Sequence, residues 1–285
     1  MLISDFVKQI YYLNKQAIIN LINHDGVEHA GYMSFIILMS LFPFLIFFLS
    51  LSHVLGAYYI GQSFIQLLLD NVPNNLIIAI DKQIKELYYA PPEKAMNLAI
   101  FGIIWTSSSF IESIRTILNR IYQVSYPSYI WRRFLSIIQF FFITISIFCL
   151  MMIWITGTIS LYAIPELAVL INKIPYYGNY AIVINYIAAG LILFMFVNIF
   201  YCMVPNTSVK LKTVLPGSLL TVVLWLSSAD IMSKYISYYT QLNLVYGSVG
   251  SVVVVLMFFY VVSIVFIYGA ELNFLIATKK LSKIK

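Results

Sequence analysis

Six long apolar runs constrain what this chain can fold into more than any other feature. They cover residues 31–55, 96–118, 134–162, 180–204, 214–236 and 249–277. A helix rises about 1.5 Å per residue, so about 20 apolar residues cross a hydrocarbon core about 30 Å thick. The runs are continuous and do not alternate with period two, and backbone amides in lipid must be bonded within the segment. The sequence therefore predicts an all-α polytopic membrane protein with six transmembrane helices.

The composition excludes an ordinary soluble domain. The chain is 61% hydrophobic and only 10% charged, with a mean hydropathy of +0.90. We therefore expect one membrane domain over residues 1–285, without room for a separate soluble catalytic domain. Cys149 and Cys202 lie in apolar runs and are interpreted as small hydrophobic residues rather than as a disulfide.

The basic residues are divided unequally between the two sides of the predicted bundle. If the six spans alternate in direction, twelve lysines and arginines fall on the side of both termini and five on the other. The positive-inside rule then predicts cytoplasmic N- and C-termini. Since topology accounts for most of the excess charge, no nucleic-acid partner is expected.

The segments outside the runs predict amphipathic surface elements. Residues 1–23 are expected to form an amphipathic helix in the interface or beneath the bundle. Residues 56–95 form the longest loop, on the predicted outer side, with an amphipathic helix over 76–87. Residues 278–285 are a basic cytoplasmic tail.

Four metal-ligand residue types fall together at residues 24–29, namely His24, Asp25, Glu28 and His29. Helix capping also explains them, since Asp25 can cap the first span and Glu28 can complete a capping box. No further cluster of His or Cys supports a metal site, so none is predicted.

The strongest polar cluster lies in the second run. Glu112 and Arg115 are one helical turn apart and can form an ion pair, with Ser108 and Ser109 within one turn of Glu112. One interpretation is a polar lining of a substrate path or gate, because intramembrane ionisable groups usually face an interior or a cavity. The other is an ion pair at the membrane boundary, with serines that allow close helix packing.

Two further carboxylates lie in the last two runs. Asp230 is four residues before Lys234, a spacing that favours an interfacial pair. Glu271, close to Asn273, is expected to seek Arg115 or Arg120 at the cytoplasmic end. Because charged residues inside a membrane bundle commonly mark a path, we also include Asp230, Glu271 and Asn273 in the candidate substrate path or gate.

Several residues predict a helix break or close packing. They are Pro43, Pro216, Gly217, Gly247 and Gly250. Proline removes an amide donor, and glycine permits close approach or exposed backbone groups.

Enzyme motifs are absent from the sequence. There is no phosphate-binding Walker A loop and no zinc-binding His-Glu-x-x-His helix. We therefore predict no catalytic residue, no cofactor and no bound metal.

Seven short motifs resemble one family in their order along the chain. They are AGYMSF at 30–35, SLFP at 40–43, WTSS at 105–108, YCMVPN at 201–206, LPG at 215–217, YGSVG at 246–250 and GAELN at 269–273. On these motifs the chain resembles the YihY/BrkB family of bacterial inner-membrane proteins. Some members of that family carry the label ribonuclease BN, and others are linked with virulence or serum resistance. The cluster at residues 24–29 is not a hallmark of the family.

The resemblance implies a six-span protein of the bacterial inner membrane that transports or flips a lipid or another envelope component. Its partners would be membrane lipids and an unidentified substrate. A non-transporting scaffold for envelope assembly, with envelope protein partners, is the alternative. A ribonuclease is the third hypothesis, and no paired metal-binding carboxylates support it.

Overall fold

The structure, a computed structural model, describes residues 2–70, 96–125, 128–163, 177–239 and 247–282, and this part of the chain contains helices without a strand. Within these ranges the helices are α1 (Leu2–Asn23), α2 (Gly26–Val54), α3 (Tyr58–Asp70), α4 (Met96–Ile121), α5 (Tyr129–Ala163), α6 (Tyr177–Met203), α7 (Leu211–Tyr239) and α8 (Gly247–Ser282). The expected all-α class is confirmed. Each of the six apolar runs falls on one long helix, to within a residue.

Three helices are long and apolar enough to cross a membrane, counted over the described residues alone. The crossing segments are Tyr129–Ile153 in α5, Leu211–Met232 in α7 and Val252–Thr278 in α8. A fourth span results if the two halves of α2 count as one, although the helix bends by 41° between Gly26–Leu41 and Pro43–Val54. Proline lacks an amide donor and crowds the preceding turn, which accounts for the bend. The structure is thus a helical membrane bundle, with three or four spans within the described residues, and the count of six stays a prediction.

Large apolar side chains on the outside of the bundle face the lipid. On α5 the exposed residues include Phe134, Ile138, Phe142 and Ile145, which recur every three or four residues along one face. Soluble proteins rarely expose a continuous apolar face of this length, whereas a membrane helix presents one to the acyl chains.

The bundle is built around α2, α4 and α8. Helix α8 packs against α7 and α2, and α4 packs against α2 and α5, while α6 lies on α7. An aromatic stack fills the space between α6, α7 and α8: the Phe266 ring lies 4.6 Å from Tyr201 and 6.3 Å from Trp225, between ring centroids.

The chain reverses direction between successive long helices. The starts of α2, α5 and α7 therefore meet the ends of α4, α6 and α8, and we call this the polar end. Contacts across it include the pair of His24 with Glu271 and the bond from the Asn206 amide to Asn119.

Helix α1 lies at the polar end and packs on α8. Tyr268 of α8 donates a hydrogen bond to Asn14, and Ala17 and Leu21 of α1 are buried. Ile18 and Ile22 remain exposed. The predicted N-terminal helix is thus present, with one face docked on the bundle and an apolar face left outside.

The predicted loop over residues 56–95 begins with a helix, α3, which the sequence analysis did not identify. Its Ile60 is buried beside Phe48, and its Phe64 ring lies 4.5 Å from the Phe48 ring. The amphipathic helix predicted over 76–87 lies outside the described residues.

Helices α7 and α8 touch backbone to backbone at two glycines. Gly217 donates its amide to Asn273 Oδ1 at 2.8 Å, next to Pro216, which has no amide to donate. A Cβ on Gly217 would overlap the Gly269 carbonyl oxygen, and a Cβ on Gly269 would overlap the hydroxyls of Thr221 and Tyr201. Small residues allow such contact in membrane bundles, where packing rather than hydrophobic burial holds helices together.

Gly217→Ala is therefore expected to lower stability by about 1–3 kcal/mol, the usual cost of overpacking. The thermal unfolding midpoint of the detergent-purified protein measures this loss. Gly102→Ala on α4 is the matched control, since no atom lies within 4 Å of its added Cβ. In a helix that change is neutral or slightly stabilising. Equal midpoints for the two variants would contradict the close crossing.

Candidate functional site

Buried charges gather at the polar end where α4 and α5 adjoin. We call Glu112, Arg115, Arg132 and Arg133 the arginine cluster. The side chain of Arg115 is only 1% exposed, and that of Arg133 only 7%. Burying a charge in a bundle of this composition is costly unless neighbouring groups compensate it.

Arg115 ties three parts of the bundle together. It donates to Asn206 Oδ1 at 2.8 Å and to Gln139 Oε1 of α5, and its Nε lies 3.6 Å from Glu112. These partners are held in turn, because Gln139 donates to the Met203 carbonyl at 2.6 Å. The guanidinium thus bridges α4, α5 and the segment that follows α6.

Glu112 is the single carboxylate of the arginine cluster. Its Oε2 accepts a hydrogen bond from Ser136 at 2.7 Å, and its Oε1 lies 3.3 Å from Arg132 Nε. Arg115 approaches the same carboxylate at 3.6 Å. The four side chains of the cluster thus comprise three guanidiniums and one carboxylate, which Arg132 and Arg115 both approach.

Arg133 lies against α4. Its guanidinium carbon is 3.9 Å from the centroid of the Trp105 ring, and both amino nitrogens lie 3.2 Å from Ser109 Oγ. It also donates to the Trp105 carbonyl. Ser108 is buried and returns its hydroxyl to the same carbonyl at 3.1 Å. Of the two predicted serines, Ser109 therefore contacts the cluster and Ser108 bonds within its own helix.

Sequence analysis assigned Arg132 and Arg133 to topology alone and did not place them in the site. The available signal was their position just before the third apolar run, at the same predicted end of the bundle as Glu112 and Arg115. That signal does not say which helix the arginines contact, since nothing in the local sequence shows that α5 packs on α4.

The second buried carboxylate, Glu271 of α8, does not reach the arginines. The prediction that it seeks Arg115 or Arg120 is wrong. His24 Nδ1, in the turn between α1 and α2, lies 2.6 Å from Glu271 Oε1. This pairing arises because α1 docks on α8, which brings the turn beneath the end of that helix.

Other polar atoms are buried around Glu271. Its Oε2 and the Tyr122 hydroxyl are buried without a hydrogen-bond partner among the described residues. Burial raises the pKa of the Tyr122 phenol well above its ordinary value, so the hydroxyl keeps its proton. Asn273, two residues after Glu271, uses its Oδ1 to accept the Gly217 amide. Of the predicted residues, Glu271 therefore lies in a polar pocket of the core, and Asn273 holds α7.

The residues at 24–29 diverge to separate partners. His24 turns to Glu271, and Asp25 forms an ion pair with Arg120. His29 Nε2 lies 3.1 Å from the Ser113 carbonyl. Asp25 occupies the N-cap position of α2 with φ of 54° and makes no side-chain cap bond, so the predicted capping box is wrong. Its carboxylate bonds to an arginine that the sequence distance of 95 residues conceals. No group of three or more His, Cys, Asp or Glu that could hold a metal occurs in the described parts of the chain.

The remaining predicted residues lie away from these clusters. Lys234 Nζ is 2.9 Å from Asp230 Oδ2, and both side chains are exposed, as expected for an interfacial pair. Asp230 is about 30 Å along α7 from its start at the polar end. Gly247 begins α8 and Gly250 lies in its first turn, so the backbone is helical at both.

Arg115→Met is expected to destabilise the protein by about 3–5 kcal/mol, because it leaves the acceptors of Asn206 and Gln139 without their donor and removes one of the two arginines beside Glu112. Arg120→Met removes an ion pair in which the arginine side chain is 45% exposed, and should cost at most about 1 kcal/mol. Thermal unfolding of the two variants in the same detergent makes the comparison. A larger loss for Arg120→Met would refute the structural role of Arg115.

The contact of Glu271 with His24 is testable by a double-mutant cycle. Glu271→Gln and His24→Ala should each destabilise the protein, and the double variant should lose less than their sum by about 0.5–3 kcal/mol. Asp230→Asn with His24→Ala is the control pair and should be additive. Additivity of Glu271→Gln with His24→Ala would show that the two side chains do not interact.

Comparison with known proteins gives one family for almost the whole chain. The family model described as Virulence factor BrkB matches residues 17–285. YfkH of Bacillus subtilis (strain 168), named as ribonuclease-like, is 26% identical over 267 residues, which are 90% of this chain and 92% of YfkH.

Two relatives are named as UPF0761 membrane proteins. That of Pseudoalteromonas translucida (strain TAC 125) is 33% identical over 73 residues, 26% of this chain and 24% of the relative. That of Chlorobium phaeobacteroides is 24% identical over 269 residues, 91% of this chain and 56% of the relative. No solved structure matches the chain significantly. The matched residues and the apolar helical bundle lead to one conclusion: this chain is an integral membrane protein that belongs to the BrkB/YihY (UPF0761) family.

Proposed function

We propose that this protein transports or flips a lipid or another envelope component across the bacterial inner membrane. The observation that carries the proposal is the burial of Arg115 and Arg133 in the arginine cluster, within a bundle that exposes large apolar side chains along its length. Ionisable residues inside a membrane bundle are expensive and commonly mark a pathway. In this proposal the substrate is anionic, with or without an apolar part, and its negative charge lies against the buried guanidiniums.

In this proposal the polar end faces the cytoplasm, with both termini on that side. The polar end carries the arginine cluster, Arg120 and the exposed Lys210 and Lys212. Positive residues on one side of a bundle are retained in the cytoplasm during insertion. A substrate would therefore enter the cluster from the cytoplasmic leaflet.

The bend in α2 supplies a place where the bundle can open. The helix turns by 41° at Pro43, and its start carries His29 against the Ser113 carbonyl of α4. A proline kink leaves a carbonyl without its helical partner and weakens the helix locally. A movement of α2 relative to α4 would alter the access of a substrate to the arginine cluster.

A ribonuclease is not proposed, although one relative is named as ribonuclease-like. Hydrolysis of a phosphodiester by a metal nuclease requires carboxylates or histidines that share a cation. Asp25, Glu112 and Glu271 at the polar end are each paired with an arginine or a histidine instead.

Flux in proteoliposomes tests the proposal. Wild-type protein should move a fluorescent phospholipid, or a labelled anionic solute, between leaflets faster than protein-free liposomes do. Glu112→Gln removes the one carboxylate that orients Arg115 and Arg132, and should lower the rate at least about tenfold. Glu271→Gln tests the second cluster in the same assay.

Glu28→Gln is the matched control, because Glu28 is an exposed acid at the same end of the bundle. Its rate should equal that of the wild type. Unchanged flux in both Glu112→Gln and Glu271→Gln would remove these side chains from the mechanism. Absence of wild-type flux, together with co-purifying envelope proteins, would favour the scaffold.

A further inference from the structure

The surface of α4 changes character along one line of residues. Phe101, Trp105, Ser109 and Glu112 follow at spacings of four, four and three, so they lie on one face of the helix. Phe101 and Trp105 are exposed, whereas Ser109 and Glu112 lie against α5. We call the junction of this face with the start of α5 the α4–α5 groove. It runs from exposed apolar surface to buried charge.

Arg133 is the buried cation of this groove. Among the described residues, its amino nitrogens bond to neutral oxygens, those of Ser109 and of the Trp105 backbone. Its Nε is buried without a hydrogen-bond partner within the same residues. Glu112 makes no direct ion pair with it there, and its carboxylate is in contact with Ser136, Arg132 and Arg115.

A phosphate group fits this deficit. A planar guanidinium can donate to two oxygens of a phosphate, here in exchange for its bonds to Ser109 and the Trp105 carbonyl, and charge-assisted bonds of this kind are stronger than neutral ones. Arg132 lies one residue away on the same turn and adds a second positive charge. A neutral substrate would add no negative charge beside Arg133.

The apolar part of the groove distinguishes a lipid from a soluble anion. Phe101 lies about 16 Å along α4 from Glu112, farther from the polar end, and is 76% exposed. Trp105, 51% exposed, stands between the two, with its ring against Arg133. Tryptophan at the level where headgroups meet acyl chains is typical of membrane proteins. An acyl chain can lie along Trp105 and Phe101 while its headgroup reaches Arg133.

We propose that the α4–α5 groove binds an anionic phospholipid, with its phosphate on Arg133 and Arg132 and an acyl chain along Trp105 and Phe101. The inference rests on the proposed function, whose substrate class it names. It is tested by binding rather than by flux.

Binding is measured on the detergent-purified protein by native mass spectrometry, with phosphatidylglycerol and phosphatidylcholine of identical acyl chains as probes. Wild-type protein should retain phosphatidylglycerol at least about tenfold more tightly than phosphatidylcholine. Arg133→Gln should abolish this preference. Lys212→Gln, which removes an exposed positive charge at the same end of the bundle, should leave it unchanged.

Arg133→Lys keeps the charge but loses the planar guanidinium, and should retain only part of the preference for phosphatidylglycerol. If Arg133→Gln does not fold, the preference measured for Arg133→Lys tests the proposal in its place. Equal losses in Arg133→Gln and Lys212→Gln would overturn the proposal, because the preference would then come from general surface charge. Displacement of the lipid by an equal concentration of glycerol phosphate would overturn it as well, since the acyl chain would then contribute nothing.

The two proposals fail separately. Selective lipid binding without wild-type flux would reject transport and retain the groove as a lipid site. Equal binding of both lipids by the wild-type protein, together with flux in Arg133→Gln at the wild-type rate, would reject the groove and retain transport.

Discussion

The compensation of buried charge at the polar end is the constraint on which the rest of the bundle depends. Lipid offers no hydrogen bonds, so each charged group that leaves water must find its partners on neighbouring helices. Arg115 meets this requirement with groups from α5 and from the segment after α6. Glu271 meets it through the turn that precedes α2. The charges therefore fix which helix ends lie together, while apolar packing alone would leave their order free.

Close packing of α7 on α8 completes this end of the bundle. Gly217 and Gly269 let the two backbones touch, and Asn273 accepts the amide of Gly217. Pro216, immediately before Gly217, has no backbone N–H, so no amide at that position requires an acceptor. This contact is close-packed, because a Cβ added at either glycine meets backbone or hydroxyl oxygens of neighbouring helices. The contact of α2 with α4 differs in that it includes the polar pair of His29 and the Ser113 carbonyl, and the α2 axis is bent.

Periodicity and hydropathy predicted the helices well, since apolar length and the lack of alternation are local properties of the chain. The pairings at the polar end were not local. Glu271 was expected near an arginine because charge alone suggested it, yet its partner is His24, 247 residues away. Asp25 occupies the expected cap position, but Arg120 takes its carboxylate. Which partner wins depends on how α1 docks and how α2 lies against α4, and no pattern within one helix contains that information.

Arg133 shows how one residue type can serve topology and binding at once. A positive charge that only orients a span has no reason to leave water, and Lys210 and Lys212 are exposed accordingly. Arg133 is 7% exposed and stacks on Trp105 instead. Burial of a guanidinium with neutral partners costs free energy that orientation of the span does not require. In the proposal above this charge is retained for an anion, and the exposed apolar face beside it is the reason for proposing that a lipid carries that anion.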